Sequence, residues 1–149
     1  MSAWLIREAD WLDAQDQAAL KMIRRQVFIE EQGVPESLEW DEFDASSSHF
    51  LAQHAEEPIA CARLLPSGYV GRMAVLPDWR LRGVARALLQ ACETRAQNTG
   101  IEALRLSAQT HAIPFYEKAG YRIISGPYLD AGILHQDMIK PLRNEQHGR

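Results

Sequence analysis

Apolar residues recur along this chain with two different periods, and the changes of period mark its elements. Between Asp13 and Gly33, Leu20, Ile23, Val27 and Phe28 fall on one helical face while Lys21, Arg24 and Arg25 turn away, which predicts an amphipathic helix. Asp13 stands where an N-cap would, and Gly33 with Pro35 ends the segment. Ahead of it, Trp4 to Arg7 is a short strand candidate. Two strands are predicted at about 49–55 and 58–65, joined by a tight Glu56-Glu57-Pro58 connection into an antiparallel hairpin. Pro66-Ser67-Gly68 is the next turn, and Tyr69 to Val75 a further strand that Pro77 breaks.

The period returns to helical from Gly83 to about Asn98, where Val84, Leu88, Ala91 and Cys92 form one stripe and Gly100 stops it. Leu104, Leu106 and Ala108 alternate on a strand over about 102–108, and a short helix over about 112–119 ends at Gly120. Tyr121 to Ile124 is a strand, 126–132 a loop, and Ile133 to Ile139 a last strand. Between the first helix and the hairpin lies an acidic loop, SLEWDEFDASSSH. The order β-α-β-β-β-α-β-α-β-β describes a mixed α/β sheet with helices packed against it, not an alternating doubly wound one.

Composition narrows the class. A chain of 149 residues with a hydrophobic fraction of 46% fits one globular domain with one core, 1–149. Sixteen basic residues against twenty acidic ones leave a net charge of -4, which speaks against a nucleic-acid partner. It is compatible with an amine acceptor. Cys61 and Cys92 sit among apolar neighbours and read as buried reduced thiols, and no Cys/His spacing suggests a metal. The opening MSAWLIREADW carries acidic residues where a secretory leader has an apolar core, and no run approaches the ~18 apolar residues of a membrane span, so the expectation is a cytoplasmic enzyme without a membrane partner. The polar tail after Leu142 is expected to fray.

The richest chemistry lies in VGRMAVLPDWRLRGVARALL, residues 70–89. A strand ends at Val75, and an arginine-bearing turn, RLRGVA, leads straight into a helix. The first turn of a helix presents unpaired N–H groups with a partial positive charge behind them, a ready seat for a pyrophosphate. Gly83 and Ala85 leave room for close approach, and Arg80, Arg82 and Arg86 can add charge-assisted hydrogen bonds. The same pattern also suits a plain strand-turn-helix with a glycine for packing.

Arg80-Leu81-Arg82-Gly83-Val84-Ala85 resembles the Q/R-x-x-G-x-G/A signature of the GNAT superfamily of acyl-CoA-dependent N-acetyltransferases, and Met73-Ala74-Val75-Leu76-Pro77 resembles the strand that precedes it. Gln109, Ala112, Tyr116, Gly120 and Tyr121 resemble the family's second pattern, N-x-x-A-x-x-x-Y-x-x-x-G-F/Y. The likeness is good over about 60–140, and VFIEEQGVP, AQTHAIPFYEKAGY and LDAGILHQDM are similar to the ElaA-like branch. Leu81 replaces a frequent glycine and Gln109 a frequent asparagine.

The resemblance implies a GNAT-type fold, a mostly antiparallel sheet splayed between its fourth and fifth strands and flanked by helices, with acetyl-CoA as cofactor. It further implies that Met73, Ala74 and Val75 hold pantetheine, that residues Arg80, Leu81, Arg82, Gly83, Val84, Ala85 and Arg86 hold the pyrophosphate, and that Gln109 and Tyr116 contact the cofactor. Tyr116 takes the general-acid position near sulfur, and the amide of Val75 that of an oxyanion donor. The implied acceptor is an amine of a small molecule or peptide, attacked directly in a ternary complex. Pairing into a homodimer through the last strands is a further implication.

Acyl transfer also needs a group to take the amine's proton. His135 and Asp137 alternate on the last strand and share a face, which makes His135 a candidate base and Asp137 a candidate acceptor contact. His111 reads equally as a cap or a solvent residue. Glu31, Gln32, Glu39, Asp41 and Asp44 could hold a protonated amine or simply form a solvated acidic run, and Phe28 could wall the acceptor pocket or pack in the core. Arg72, among strand apolars, needs a partner: a carboxylate of the acidic loop or a substrate anion. Two other classes stay open. Arg24, Phe28, Trp40, Asp41, Asp44 and Ala62-Arg63-Leu64-Leu65-Pro66 resemble acyl-homoserine-lactone synthases, and a non-catalytic acyl-CoA-binding module would carry the same turn.

Overall fold

The structure, a computed structural model, describes residues 3–142, so the expectation for the C-terminal tail lies outside the described residues. In chain order its strands are β1 Leu5–Ala9, β2 Ser48–His54, β3 Glu57–Leu64, β4 Tyr69–Val75, β5 Ala103–Gln109, β6 Arg122–Ile123, β7 Tyr128–Asp130 and β8 Ile133–Pro141. The helices are α1 Ala14–Arg24, α2 Glu36–Glu39, α3 Val84–Asn98 and α4 Ile113–Lys118. One sheet joins the strands in the order β1-β2-β3-β4-β5-β8-β6, with β7 on the other half of β8. All pairings are antiparallel except β4 with β5.

That parallel pairing is short. Tyr69 faces Arg105 and Val70 faces Leu106, and from Gly71 onward the two strands part. The near end is clamped by Gly68, whose φ of +95° and missing side chain let it lie against the Ala103 carbonyl; a Cβ there would come within 2.8 Å of that oxygen. The far end of β4 is bent by a bulge. Cys61 pairs with Ala74 but Arg63 with Gly71, so β4 carries one residue more than β3 across this interval, and Arg72 takes a φ of +48° to absorb it.

Two apolar layers hold the sheet. On one face α3 buries Val84, Leu88, Leu89 and Cys92 against Phe50, Ala60, Ala62 and Leu104. On the other α1 buries Leu20 and Ile23 against Leu51, Cys61 and Ala74, the alternate residues of the same strands.

The structure departs from the sequence reading in four places. Arg24, expected on the outward face of the first helix, is buried against the carboxylates of Glu39 and Asp44. The first helix is regular only to Arg24, then widens into π-type turns over Arg25–Glu31, with Gln32 N–H donating to the Val27 carbonyl at 3.1 Å. Hydrophobic spacing does not register an extra residue per turn. The hairpin turn is Ala55-Glu56, both at positive φ, while Pro58 enters β3 opposite Gln53 at a register shift. And the expected loop after Gly126 contains β7, too short to show alternation, which closes on β8 through the positive-φ pair Ala131-Gly132.

Candidate acyl-transfer site

The parting of β4 from β5 opens a cavity of about 660 Å³ that runs through the sheet. Residues Gly71 to Val75 line it with a backbone edge that no strand pairs on the β5 side. One mouth faces α3 and α4 and is lined by Ala85, His111, Ala112, Phe115 and Tyr116. The other is walled by the π-type turns and the acidic loop, through Phe28, Glu31, Gln32 and Glu39, and by Ser107, Gln109 and His135 of the β5–β8 sheet. The widened turns account for Phe28, Glu31 and Gln32 facing the cavity while Leu20, Ile23 and Val27 stay buried.

At the first mouth the turn before α3 is built for something outside the protein. Leu81 and Gly83 both take positive φ, 62° and 85°, and Leu81 projects wholly into solvent. No side chain caps α3 and no acidic residue lies in its first turn. A Cβ on Gly83 would meet nothing within 4 Å, so packing does not demand this glycine. Free helix amides beside Arg80, Arg82 and Arg86 would repel a cation and suit an anion. The arginines differ in what they touch. Arg80 grips Glu31 through two bonds of 2.8 and 2.7 Å and donates to the Val75 carbonyl at 2.9 Å. Arg82 lies over the Trp79 ring at 4.9 Å, and Arg86 is exposed. The open β4 edge, this turn and the cavity between them fit the acyl-CoA that the sequence implies: amides for a pantetheine arm and for a pyrophosphate.

Tyr116 sits at the same mouth, in edge contact with Phe115 and Tyr121. Burial pushes its phenol up to about 12, and the residue lines the cavity. It is therefore a protonated donor facing the cavity.

On the second side His135 donates from Nδ1 to the Ile133 carbonyl at 2.7 Å, since a carbonyl only accepts, which leaves Nε2 with its lone pair in the neutral ring. Gln109 donates to Gln32 at 3.0 Å across the cavity. Arg72 turns to the acidic loop, bonding the Glu39 carbonyl at 2.9 Å and Asp41 at 3.1 Å, so of its two expected partners the structure supplies the carboxylate loop.

Three expected acceptor contacts, Asp41, Asp44 and Asp137, do not line the cavity. Asp44 is buried, with Arg24 at 2.7 Å and Arg63 at 2.9 Å on one oxygen. Burial would raise its carboxyl, but the two guanidiniums outweigh it and hold it below the usual range. Asp137 shares a face with His135 but accepts from Tyr128 at 2.5 Å instead of lining the cavity. Asp41 is held by Arg63 and Arg72 at the rim of the same network. The sequence reading had no signal for Ser107, Tyr69 or Asp130, which line the cavity, because single polar residues on strands form no pattern. Among the described residues no group of His, Cys, Asp and Glu could hold a metal, and no helix is long and apolar enough to cross a membrane.

Known proteins share this arrangement. The family model described as acetyltransferase (GNAT) domain matches residues 12–142. The chain is 39% identical over 122 residues to YjcF of Bacillus subtilis (strain 168), described as an uncharacterised N-acetyltransferase, covering 79% of this chain and 87% of that one. The crystal structure of Escherichia coli ElaA superposes with a TM-score of 0.82 at 26% identity, over 94% of this chain and 99% of ElaA. An acyl-CoA N-acyltransferase from Pseudomonas aeruginosa superposes with a TM-score of 0.80, also at 26% identity, over 93% and 99%.

Proposed function

This chain belongs to the GNAT acetyltransferases and is an acyltransferase, and from that premise we propose that it transfers an acetyl group from acetyl-CoA to a primary amine of a small molecule or peptide by direct attack in a ternary complex. The observation that carries the reading is the turn at Gly83: left-handed, uncapped, unneeded for packing, and set at the mouth of a cavity that opens along β4.

Acetyl-CoA supplies an activated thioester. Every other task falls to the chain. The amides from Leu81 to Arg86 and the Arg86 side chain hold the pyrophosphate; Arg80 and Arg82, engaged with Glu31 and Trp79, shape the turn before they touch phosphate. The free edge of Met73, Ala74 and Val75 receives the pantetheine amides, and the Val75 N–H faces the acyl oxygen, where a fixed donor favours developing negative charge. Gln109 closes the far end through Gln32. Tyr116, protonated throughout the neutral range, donates its proton to the departing sulfur. His135 takes the acceptor's proton at Nε2, the nitrogen that its bond to Ile133 leaves open. Phe28, Glu31, Gln32 and Glu39 wall the acceptor, while Asp41, Asp44 and Arg72 act by fixing the acidic loop above it.

The test is release of free CoA from acetyl-CoA across a panel of primary amines, with the acetylated product identified by mass. Tyr116→Phe is expected to lower kcat on the order of 10²-fold while CoA affinity holds. A protein that binds acetyl-CoA but releases thiol with no amine would leave only the binding-module reading standing.

A further inference from the structure

Across β5 and β8, Ser107 and Asp137 are register partners, and the Tyr128 phenol from β7 lies between their side chains. Tyr128 Oη contacts Asp137 Oδ1 at 2.5 Å and makes a very short contact with Ser107 Oγ. Of the three, only Ser107 lines the cavity.

The direction of these bonds is fixed by counting hydrogens. A carboxylate oxygen can only accept, so the single hydrogen of Tyr128 points to Asp137. The oxygen of Tyr128 must then accept from Ser107, whose single hydrogen is used up. Tyr128 keeps that hydrogen: burial first, and the bond to Asp137 second, push its phenol up to about 12. The scaffold holds the chain in place. Tyr128 pairs in register with His135 and stacks on its ring at 6.1 Å, and the Asp137 N–H donates to Ser125 Oγ at 2.9 Å.

Ser107 therefore meets the cavity with lone pairs and no hydrogen. Tyr69, on the adjoining strand, lines the same cavity. The charges on this side agree. Arg80 is paired with Glu31, and Arg72 with Glu39 and Asp41, whereas the Asp130 carboxylate lines the cavity with no ion pair among the described residues. His111, His135, Tyr69 and Tyr116 are the other titratable groups that line it.

We propose that Ser107 anchors the acceptor's nitrogen: held as an obligate hydrogen-bond acceptor by Tyr128 and Asp137, it works with Asp130 to select an amine or ammonium head group and to reject carboxylates and other heads that can only accept. Ser107 touches the substrate, and Tyr128 and Asp137 are positioning residues acting through it. This rests on the acetyltransferase reading of the cavity and names the residue that selects its acceptor.

Calorimetry on the CoA-loaded protein with n-hexylamine, 1-hexanol and hexanoate, one chain with three heads, tests it. The amine is expected to bind at least about tenfold tighter than hexanoate. Ser107→Ala should weaken the amine by about tenfold, as for a lost hydrogen bond to a charged group. Tyr128→Phe frees the serine hydrogen to turn into the cavity, so it should shrink the amine-to-hexanoate ratio. The Ser107→Ala and Tyr128→Phe effects should be non-additive in the double variant, with CoA affinity unchanged throughout. A merely structural role would move stability or CoA affinity and leave the head-group ratio alone. Equal binding of hexanoate by the unaltered protein, no binding of the amine, or a ratio that survives both substitutions would overturn the proposal. Failure to bind CoA would fall on the acetyltransferase reading instead, and the same head-group series on the unloaded protein then decides the role of Ser107.

Discussion

His49 shows how far a single side chain can depart from its ordinary chemistry in this fold. It is buried, stacks on Trp11 at 4.9 Å, and donates from Nε2 to the Asp44 carbonyl at 2.8 Å. Burial pushes its imidazole below the usual value, against the opposing pull of Asp44. The unfolded chain then takes up the proton first. The stability His49 contributes is complete above the unfolded value near ~6.5 and is lost as pH falls through the depressed folded value. Urea unfolding at pH 7.5 and 5.5 should show the protein losing stability relative to His49→Gln, at up to about 1.4 kcal/mol per pH unit within that window. A constant difference between the two proteins would contradict it. Residues of this kind were not legible in the sequence, where His49 is one polar position at the start of a predicted strand. Gly83 and Tyr116 were legible because each stands in a spaced motif. Ser107, Tyr128 and Asp130 were not, since their meaning comes from strands that meet only in the folded sheet.

The elements that shape the acceptor side are held by charge more than by apolar contact. Arg24 of α1, Arg63 of β3 and Arg72 of β4 face Glu39, Asp41 and Asp44 of the acidic segment, three cations against three anions, with Arg24, Glu39, Asp44 and Arg63 all buried. Charges so placed are stabilising only as a set, because the removal of one leaves its partner buried and bare. Arg24→Ala should cost about 3–5 kcal/mol in a denaturant titration. Arg25→Ala, whose pair with Glu36 is exposed, should cost under about 1 kcal/mol. Similar losses from both would show that the network is not what pins the segment. The sequence showed the acidic loop but left it between substrate contact and solvation. Its partners lie on three different elements, and only the fold brings them together. The π-type turns after Arg24 were hidden for a related reason: Leu20, Ile23 and Val27 keep an ordinary helical spacing, although Val27 already lies in the widened segment.

At the scale of the whole molecule the sheet's one parallel pairing is the decisive feature. It is pinned at Gly68 and released beyond Val70, and the gap so made connects the turn at Gly83 with the face that carries Ser107 and His135. Most of this plan could be read from the chain, because strand and helix periods, two spaced motifs and the glycine stops agree with one another. What escaped were β7 and the hairpin closing it, three residues long and without alternation. The claim on which the rest depends is that acetyl-CoA sits with its pyrophosphate against Gly83. The direct measurement is thermal unfolding of the protein, Gly83→Ala and Gly83→Glu, with and without acetyl-CoA. At roughly 100 times Kd the ligand should stabilise the unaltered protein by about 2.7 kcal/mol, a rise in Tm on the order of 5–10 °C. Gly83→Ala carries the same left-handed strain without the charge, so it should keep part of the rise, and Gly83→Glu should lose nearly all of it. No rise in the unaltered protein, or an equal rise in a folded Gly83→Glu, would contradict the account.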